Sequence, residues 1–176
     1  KYEITVKANS ATATYDGKEH EAVGVETYEF TVEGNSYTVS GLSTEDPKQK
    51  DAGSYTNNIT GTPVVTDKEG NVVTSEFEVK TENGSLEIGK AAVTLKSATL
   101  SKKYDGNALV NGDTALEIES GFAEGEGATY NFTGSQTVVG SSANAFSYEL
   151  NSNTNIDNYE ISKQEGTLTV TNREAK

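Results

Sequence analysis

One pattern occurs twice along the chain, and that repetition limits the possible folds more than any other feature. Ile4-Thr5-Val6-Lys7 reads against Val93-Thr94-Leu95-Lys96, and eight residues past each lysine stands Tyr-Asp-Gly, at Tyr15-Asp16-Gly17 and Tyr104-Asp105-Gly106, an offset of 89 throughout. Tyr37-Thr38-Val39-Ser40-Gly41 aligns with Tyr130-Asn131-Phe132-Thr133-Gly134 at an offset of 93. Ser54-Tyr55 through Ile59 aligns with Ala145-Phe146 through Leu150 at 91, and Phe77 through Ile88 with Tyr159 through Val170 at 82. The elements keep one order and the drift needs only small loop insertions, so the sequence predicts two tandem domains, residues 1–90 and 91–176. Each exceeds the size, about 40 residues, below which a chain usually needs disulfides or metals to fold alone.

Within each copy the apolar residues alternate, as a half-buried strand requires when successive side chains point to opposite faces. Phe77 and Val79, then Leu86 and Ile88, are matched by Tyr159 and Ile161, then Leu168 and Val170. With Gln164-Glu165-Gly166 as a turn, the last segment of each copy reads as a β-hairpin. Asp67-Lys68-Glu69-Gly70-Asn71 and Gly34-Asn35 read as further hairpin turns in the first copy. No window carries a helical apolar stripe with caps, and Thr114 to Glu119 reads as a strand around Leu116 and Ile118. The expected fold is all-β: two small Ig-like β-sandwiches in an elongated arrangement, with β-grasp-like repeats as the alternative. The expected core is Val6, Tyr37, Val39, Tyr55, Ile59, Phe77, Val79, Leu86 and Ile88, with Leu95, Tyr130, Phe132, Phe146, Leu150, Tyr159, Ile161, Leu168 and Val170 in the second copy.

Composition narrows the chemistry. The chain has no Cys, Met or Trp and one His, which removes thiol nucleophiles, thiolate metal sites, disulfides and multi-histidine centres. Fourteen Lys and Arg stand against 27 Asp and Glu, a formal charge of −13, so nucleic acid and anionic membrane surfaces are poor partners. Both copies are acidic, with 8 Lys against 16 acids in residues 1–90 and 6 basic residues against 11 acids in residues 91–176. Apolar runs are too short to span a bilayer and no signal-like segment opens the chain, which reads as an internal piece of something larger.

Each candidate site has a plainer reading beside it. Tyr15-Asp16-Gly17 and Tyr104-Asp105-Gly106 could hold a sugar between ring and carboxylate, but Asp-Gly is a turn dipeptide and the tyrosine an anchor for the strand before it. Asn151, Asn153, Asn155 and Asp157 supply the hard oxygens that Ca²⁺ takes, with only one charge among them; Asn153, Asn155 and Asp157 are the candidate ligands against a default polar loop. Glu117, Glu119, Glu124 and Glu126 alternate like a solvated strand face rather than a catalytic pair. Lys7 and Lys96 at matched positions, with Asn172, raise a Lys-to-Asn cross-link, although Lys7 should point to solvent. His20 has no histidine counterpart, its partner position being Leu109. Asn58, Asn83 and Asn131 open Asn-X-Ser/Thr triplets.

Tyr-Asp-Gly, followed by Ala52-Gly53-Ser54-Tyr55 or Asn158-Tyr159-Glu160-Ile161 and closed by Gly166-Thr167-Leu168-Thr169-Val170, resembles the YDG and MBG-type repeats of large bacterial surface proteins. The resemblance covers both copies nearly end to end. It implies an extracellular, cell-surface or cell-wall-attached protein, with no catalytic residue and no cofactor. The expected function is a non-catalytic stalk whose partners are neighbouring repeats of the same chain. The alternative is an adhesion module for host glycan, mucin or a surface protein, which would need exposed aromatics; Tyr28 and Tyr148 are its candidate contacts, with Tyr2 and Phe122 also outside the matched core.

Overall fold

Backbone pairing turns the alternating segments into strands and leaves the polar, glycine-rich stretches as turns. A computed structural model describes residues 1–172, and the chain divides between Gly89 and Lys90 into two compact units. Unit 1 contains β1 (Tyr2–Lys7), β2 (Ala11–Thr14), β3 (His20–Glu21), β4 (Glu29–Val32), β5 (Asn35–Thr44), β6 (Lys48–Gln49), β7 (Gly53–Asn57), β8 (Ile59–Asp67), β9 (Phe77–Glu82) and β10 (Gly84–Gly89). Unit 2 contains β11 (Ala91–Lys96), β12 (Leu100–Lys103), β13 (Ile118–Ser120), β14 (Ala128–Phe132), β15 (Gly140–Ala143), β16 (Phe146–Leu150), β17 (Tyr159–Gln164) and β18 (Thr167–Thr171). The only helical pieces among the described residues are single 3₁₀ turns, Thr74–Glu76 and Ile156–Asn158. The fold is all-β with sandwich-like layering, and among the described residues no helix crosses a sheet as the β-grasp alternative would need.

The end of each unit is not the expected hairpin. β9 and β10 do not pair with each other: β9 pairs in parallel with β1 from Tyr2↔Phe77 to Lys7↔Glu82, and β10 in parallel with β2 from Ala11↔Leu86 to Thr14↔Gly89. The first strand of the unit and its last are therefore two bent ribbons, side by side and in one direction, that leave one sheet and enter another together. Unit 2 repeats this, with β11 on β17 from Ala91↔Tyr159 to Lys96↔Gln164 and β12 on β18 from Leu100↔Leu168 to Lys103↔Thr171. At each crossing the inward-facing set changes parity. Ile4, Val6 and Ala8 are buried before it and Tyr15 after it; Phe77 before it and Gly84, Leu86 and Ile88 after it. A one-residue slip of register exchanges the two faces of a strand, as a ribbon needs when it passes from one sheet to another.

β7 closes the second sheet of unit 1 against β10, and β15 does the same against β18. β4, β5 and β8 form an antiparallel sheet over β1 and β9, burying Ile4, Val6, Ala8, Val39, Ile59, Val65 and Phe77 in one cluster. The β4–β5 turn is Glu33-Gly34, one residue earlier than expected, with φ of 49° and 82°, the two positive values of a type I′ hairpin. In unit 2 the matching pair is β14 and β16, where Tyr130↔Tyr148 and Phe132↔Phe146 take the places of Leu42↔Gly61 and Thr44↔Ile59. Ile59 thus answers to Phe146 at an offset of 87, and Leu42 to Tyr130 at 88. The matches of Tyr55 with Phe146 and of Tyr37 with Tyr130 slide because β5 and β8 carry an extension, including Tyr37, that unit 2 lacks.

Eleven of the expected core residues are buried, among them Leu86, Leu95 and Leu168 with no exposure, each contributing about 1.5–3 kcal/mol. Tyr37, Tyr55, Val79, Tyr130, Phe132, Leu150 and Ile161 are half-buried instead. Ile4, Val65 and Val93 are core residues outside the expected set, although Ile4 and Val93 occupy matched positions of the repeat.

Candidate functional site

The feature built most elaborately in both units is the crossing itself. As the paired ribbons change sheets, peptide groups at the bend drop out of both ladders, and buried backbone without a partner is strongly unfavourable. In unit 1 the side chain of Asn57, with no exposure, lies at this bend: its Nδ2 donates to the Asn9 carbonyl at 3.0 Å, and its Oδ1 accepts from the Asp46 backbone N–H at 2.9 Å. In unit 2 Asn144, also without exposure, donates through Nδ2 to the Ala98 carbonyl at 2.9 Å and to Asn111 Oδ1 at 3.0 Å. Its Oδ1 has no partner among the described residues. Buried Ser97 adds a second brace, donating to the Asn144 carbonyl at 2.7 Å and accepting from the Gly166 N–H at 2.9 Å.

Glycine is required at the same bend for lack of room. A Cβ on Gly84 would lie 2.1 Å from the Asn9 carbonyl oxygen, and one on Gly166 would lie 2.3 Å from that of Ala98. Gly166, read from sequence as a turn glycine, is there so that two main chains can approach.

The two Tyr-Asp-Gly motifs end the first ribbon of each unit in the same way. Tyr15 N–H donates to the Gly89 carbonyl and Tyr104 N–H to that of Thr171, while Asp16 and Asp105 accept from the backbone N–H two residues on, of Lys18 and Asn107, both at 2.9 Å. Gly17 and Gly106 take φ of 80° and 79°. The Asp16 carboxyl is held below the usual range by the Lys18 N–H and then by His20, whose Nε2 is 2.8 Å away; Asp105 is lowered by Lys102 first and the Asn107 N–H second. Each aspartate is thus engaged by its own turn. The rings differ: Tyr15 is 8% exposed and Tyr104 41%.

The remaining candidates do not assemble into one place. Asn153 Nδ2 donates to the Gly125 carbonyl, its Oδ1 accepts from Thr154, and Asn155 Oδ1 accepts from the Asp157 N–H, so these side chains shape the loop before β17. No group of three or more His, Cys, Asp or Glu side chains among the described residues could hold a metal. Glu119 accepts from the Tyr130 hydroxyl and Glu126 from that of Tyr159 at 2.7 Å, while Glu117 pairs with Lys96 at 3.5 Å. Burial, followed by the Glu119 contact, raises the Tyr130 phenol; burial and Glu126 push Tyr159 up to about 12 against the opposing Ala123 N–H. Lys7 and Asn172 are exposed, so neither has the buried surroundings a spontaneous cross-link uses.

Tyr28 and Tyr148 lie in different units and are half-buried. Tyr28 packs on the unit 1 core, and Tyr148 shares the inward face of β16 with buried Phe146. The outward face of the β14–β16 pair carries Thr129, Asn131, Ser147 and Glu149, all exposed. Tyr2, 40% exposed, donates to Glu33 and packs against Phe77. Comparison with protein-family models, with curated proteins and with solved structures returns no match for this chain.

Asn57 and Asn144 were missed by sequence reasoning because polar residues were read as loop or surface. The signal was the pair Asn57-Asn58-Ile59 and Asn144-Ala145-Phe146, which aligns only at the corrected offset of 87.

Proposed function

We propose that the chain is a non-catalytic, tension-bearing spacer of a bacterial cell-surface protein. The observation that carries this reading is the parallel pairing of first and last ribbons in both units, six register pairs and then four in each. A chain entering on one ribbon and leaving on a parallel neighbour leaves its unit at the end opposite to where it entered. Tension on the two termini of a unit then drags these ribbons past each other, and hydrogen bonds loaded lengthwise share the force where a peeled hairpin would break them one by one. The braces at the crossing, Asn57 with Gly84 and Asn144 with Gly166, lie midway along this seam. Acidic charge in both units keeps such a spacer soluble and away from other anionic surfaces. The extracellular setting rests on the resemblance of the Tyr-Asp-Gly repeats. Recognition of glycan or mucin would need grouped exposed rings, which Tyr28 and Tyr148 do not supply.

Single-molecule pulling between the termini of the chain tests the reading. The expected record has two rupture events, one per unit, and Ala13→Pro, which removes an N–H that faces β10 as that of Tyr15 does, weakens the unit 1 event alone. Extension of both units without a rupture event, or an Ala13→Pro record identical to the parent, would sink the proposal.

A further inference from the structure

The sequence contains two Asn-Gly dipeptides, Asn83-Gly84 and Asn111-Gly112, and the fold treats them oppositely. In such a pair the glycine nitrogen can attack the asparagine Cγ: the N–Cγ bond forms, the Cγ–Nδ2 bond breaks, and Nδ2 leaves as ammonia with the proton given up by the glycine nitrogen. Water then opens the cyclic imide at either carbonyl, leaving aspartate or isoaspartate. The net reaction takes amide and water to carboxylate and ammonium, with no oxidant or reductant. The decisive motion is rotation of the asparagine backbone to bring the nitrogen onto Cγ.

Solvent exposure alone would select Asn83, which is exposed where Asn111 is only half-buried. Polarisation of the side-chain carbonyl does not separate them, since Asn83 Oδ1 accepts from the Ile59 N–H at 2.9 Å and Asn111 Oδ1 from Asn144 Nδ2 at 3.0 Å. The glycines do. Gly84 is buried at the crossing, opposite Asn57 in the β10–β7 ladder, with the Ala8 and Asn9 carbonyls pressed against its Cα. Turning that peptide would open the seam. Gly112 lies outside every strand, is exposed, and a Cβ there would meet nothing within 4 Å.

We propose that Asn111 is a site of spontaneous deamidation, and that reaction there loosens the brace of the unit 2 crossing. Asn144 leans on Asn111 Oδ1, whereas Asn57 is held by the backbone atoms of Asn9 and Asp46. Conversion removes the Asn111 Nδ2 donor, now 2.7 Å from the Asp113 carbonyl oxygen and 3.5 Å from its carboxylate, and sets a second negative charge beside Asp113. The isoaspartate product also lengthens the main chain between Leu109, bridged to Gln136, and β13. Unit 2 therefore carries an ageing mark that unit 1 lacks.

The test is peptide mapping of the full chain during incubation at mildly alkaline pH. Under native conditions the peptide containing Asn111 should gain about one dalton, with one added negative charge. It should do so at least about tenfold faster than the peptide containing Asn83, and the two rates should converge in concentrated urea as local protection disappears. Gly112→Ala, which fits the space, should slow the first without altering the fold. Hydrogen exchange of the aged protein should quicken at residues 97–99 and 143–146 but not at residues 8–10 and 56–59. Native deamidation of Asn83 at an equal or higher rate would overturn the site. Unchanged exchange around Asn144 in fully converted protein would overturn the coupling.

Discussion

Replacing each buried asparagine by alanine should cost the two units unequally. Asn57→Ala takes away the donor to the Asn9 carbonyl and the acceptor of the Asp46 N–H, two groups that the crossing keeps largely from water. Leaving a buried polar group unsatisfied costs about 1–3 kcal/mol, so two partly buried ones amount to about 2–4 kcal/mol. Asn144→Ala leaves the Ala98 carbonyl without its donor, but Asn111 Oδ1 lies near solvent and recovers a water partner. It also deletes an Oδ1 that has no partner among the described residues, and relief of that term offsets part of the loss. The net cost is about 1–2 kcal/mol. A unit of this size has about 4–13 kcal/mol in all, so the first substitution removes a large share and the second a modest one. Hydrogen exchange read by mass spectrometry separates the units, because β10 and β18 report each seam on its own peptides. At about 1.4 kcal/mol per factor of ten, Asn57→Ala should speed exchange in β10 roughly 30-fold to 1,000-fold, and Asn144→Ala should speed it in β18 no more than about 30-fold. An Asn144→Ala effect equal to or larger than that of Asn57→Ala would refute the reasoning, since it would mean that Asn144 Oδ1 is fully satisfied in solution.

Gly84→Ala and Gly166→Ala should each destabilise their own unit by about 2–4 kcal/mol through forced separation of the ribbons, while Gly89→Ala, whose nearest new contact is the Ala13 carbonyl oxygen at 3.8 Å, should stay within about 0.5 kcal/mol; urea denaturation of the three variants checks this. The Tyr159 phenol ionises near 10 in the unfolded chain and near 12 when folded, so the stabilisation it gives is complete below pH 10 and is lost as pH rises from 10 to 12, by roughly 2–3 kcal/mol. Unit 2 should unfold in alkali before unit 1, and Tyr159→Phe should flatten this pH dependence in a far-ultraviolet circular dichroism titration. Asp16 and Asp105 have lowered folded values, so their turns keep their contribution above the ordinary carboxylate range and lose it as pH falls through the depressed values; the Lys18 and Asn107 amides should exchange faster there than neighbouring strand amides, after correction for intrinsic rates. Millimolar Ca²⁺ should leave the melting temperature unchanged, because Asn153 and Asn155 already serve their own loop; a rise of several degrees would contradict that assignment.

The all-β character, the two units and most of the buried apolar positions were legible because alternation and internal repetition are local or one-dimensional signals. The crossing was not. The parity break between Val79 and Leu86 has two physical readings, a hairpin that turns back or a ribbon that bends and goes on, and residues near the break do not decide between them. The deciding signal lies elsewhere in the chain: Ile4, Val6 and Ala8 give way to Ala11, Ala13 and Tyr15 with the same parity break, at the constant register offset of 75 that joins Tyr2 to Phe77 and Ala11 to Leu86. A break shared by two distant segments marks a pair that bends together. The polar braces were hidden for a different reason. Asn57 and Asn144 resemble loop residues by type, and their burial follows only from the missing ladder bonds at the bend.

The two units agree and disagree in an informative pattern. Six pairs and then four, a glycine pressed on a carbonyl, a buried asparagine reaching the bend and an Asp-Gly turn closing the first ribbon occur in both. All of these lie on the seam between first and last ribbons, and the glycine and asparagine are buried within it. The differences in length lie away from it, in the β5–β8 extension present only in unit 1 and the longer stretch before β13 in unit 2, while on the seam itself the units differ in what holds the asparagine. A shared ligand would place the common residues on a common surface, with their side chains toward solvent. Here the common residues chiefly serve backbone geometry, while the exposed faces diverge. On the spacer reading proposed above, the requirement that both units meet is one that the seam meets, because resistance to separation of the two chain ends is the property that a parallel seam between first and last ribbons would supply.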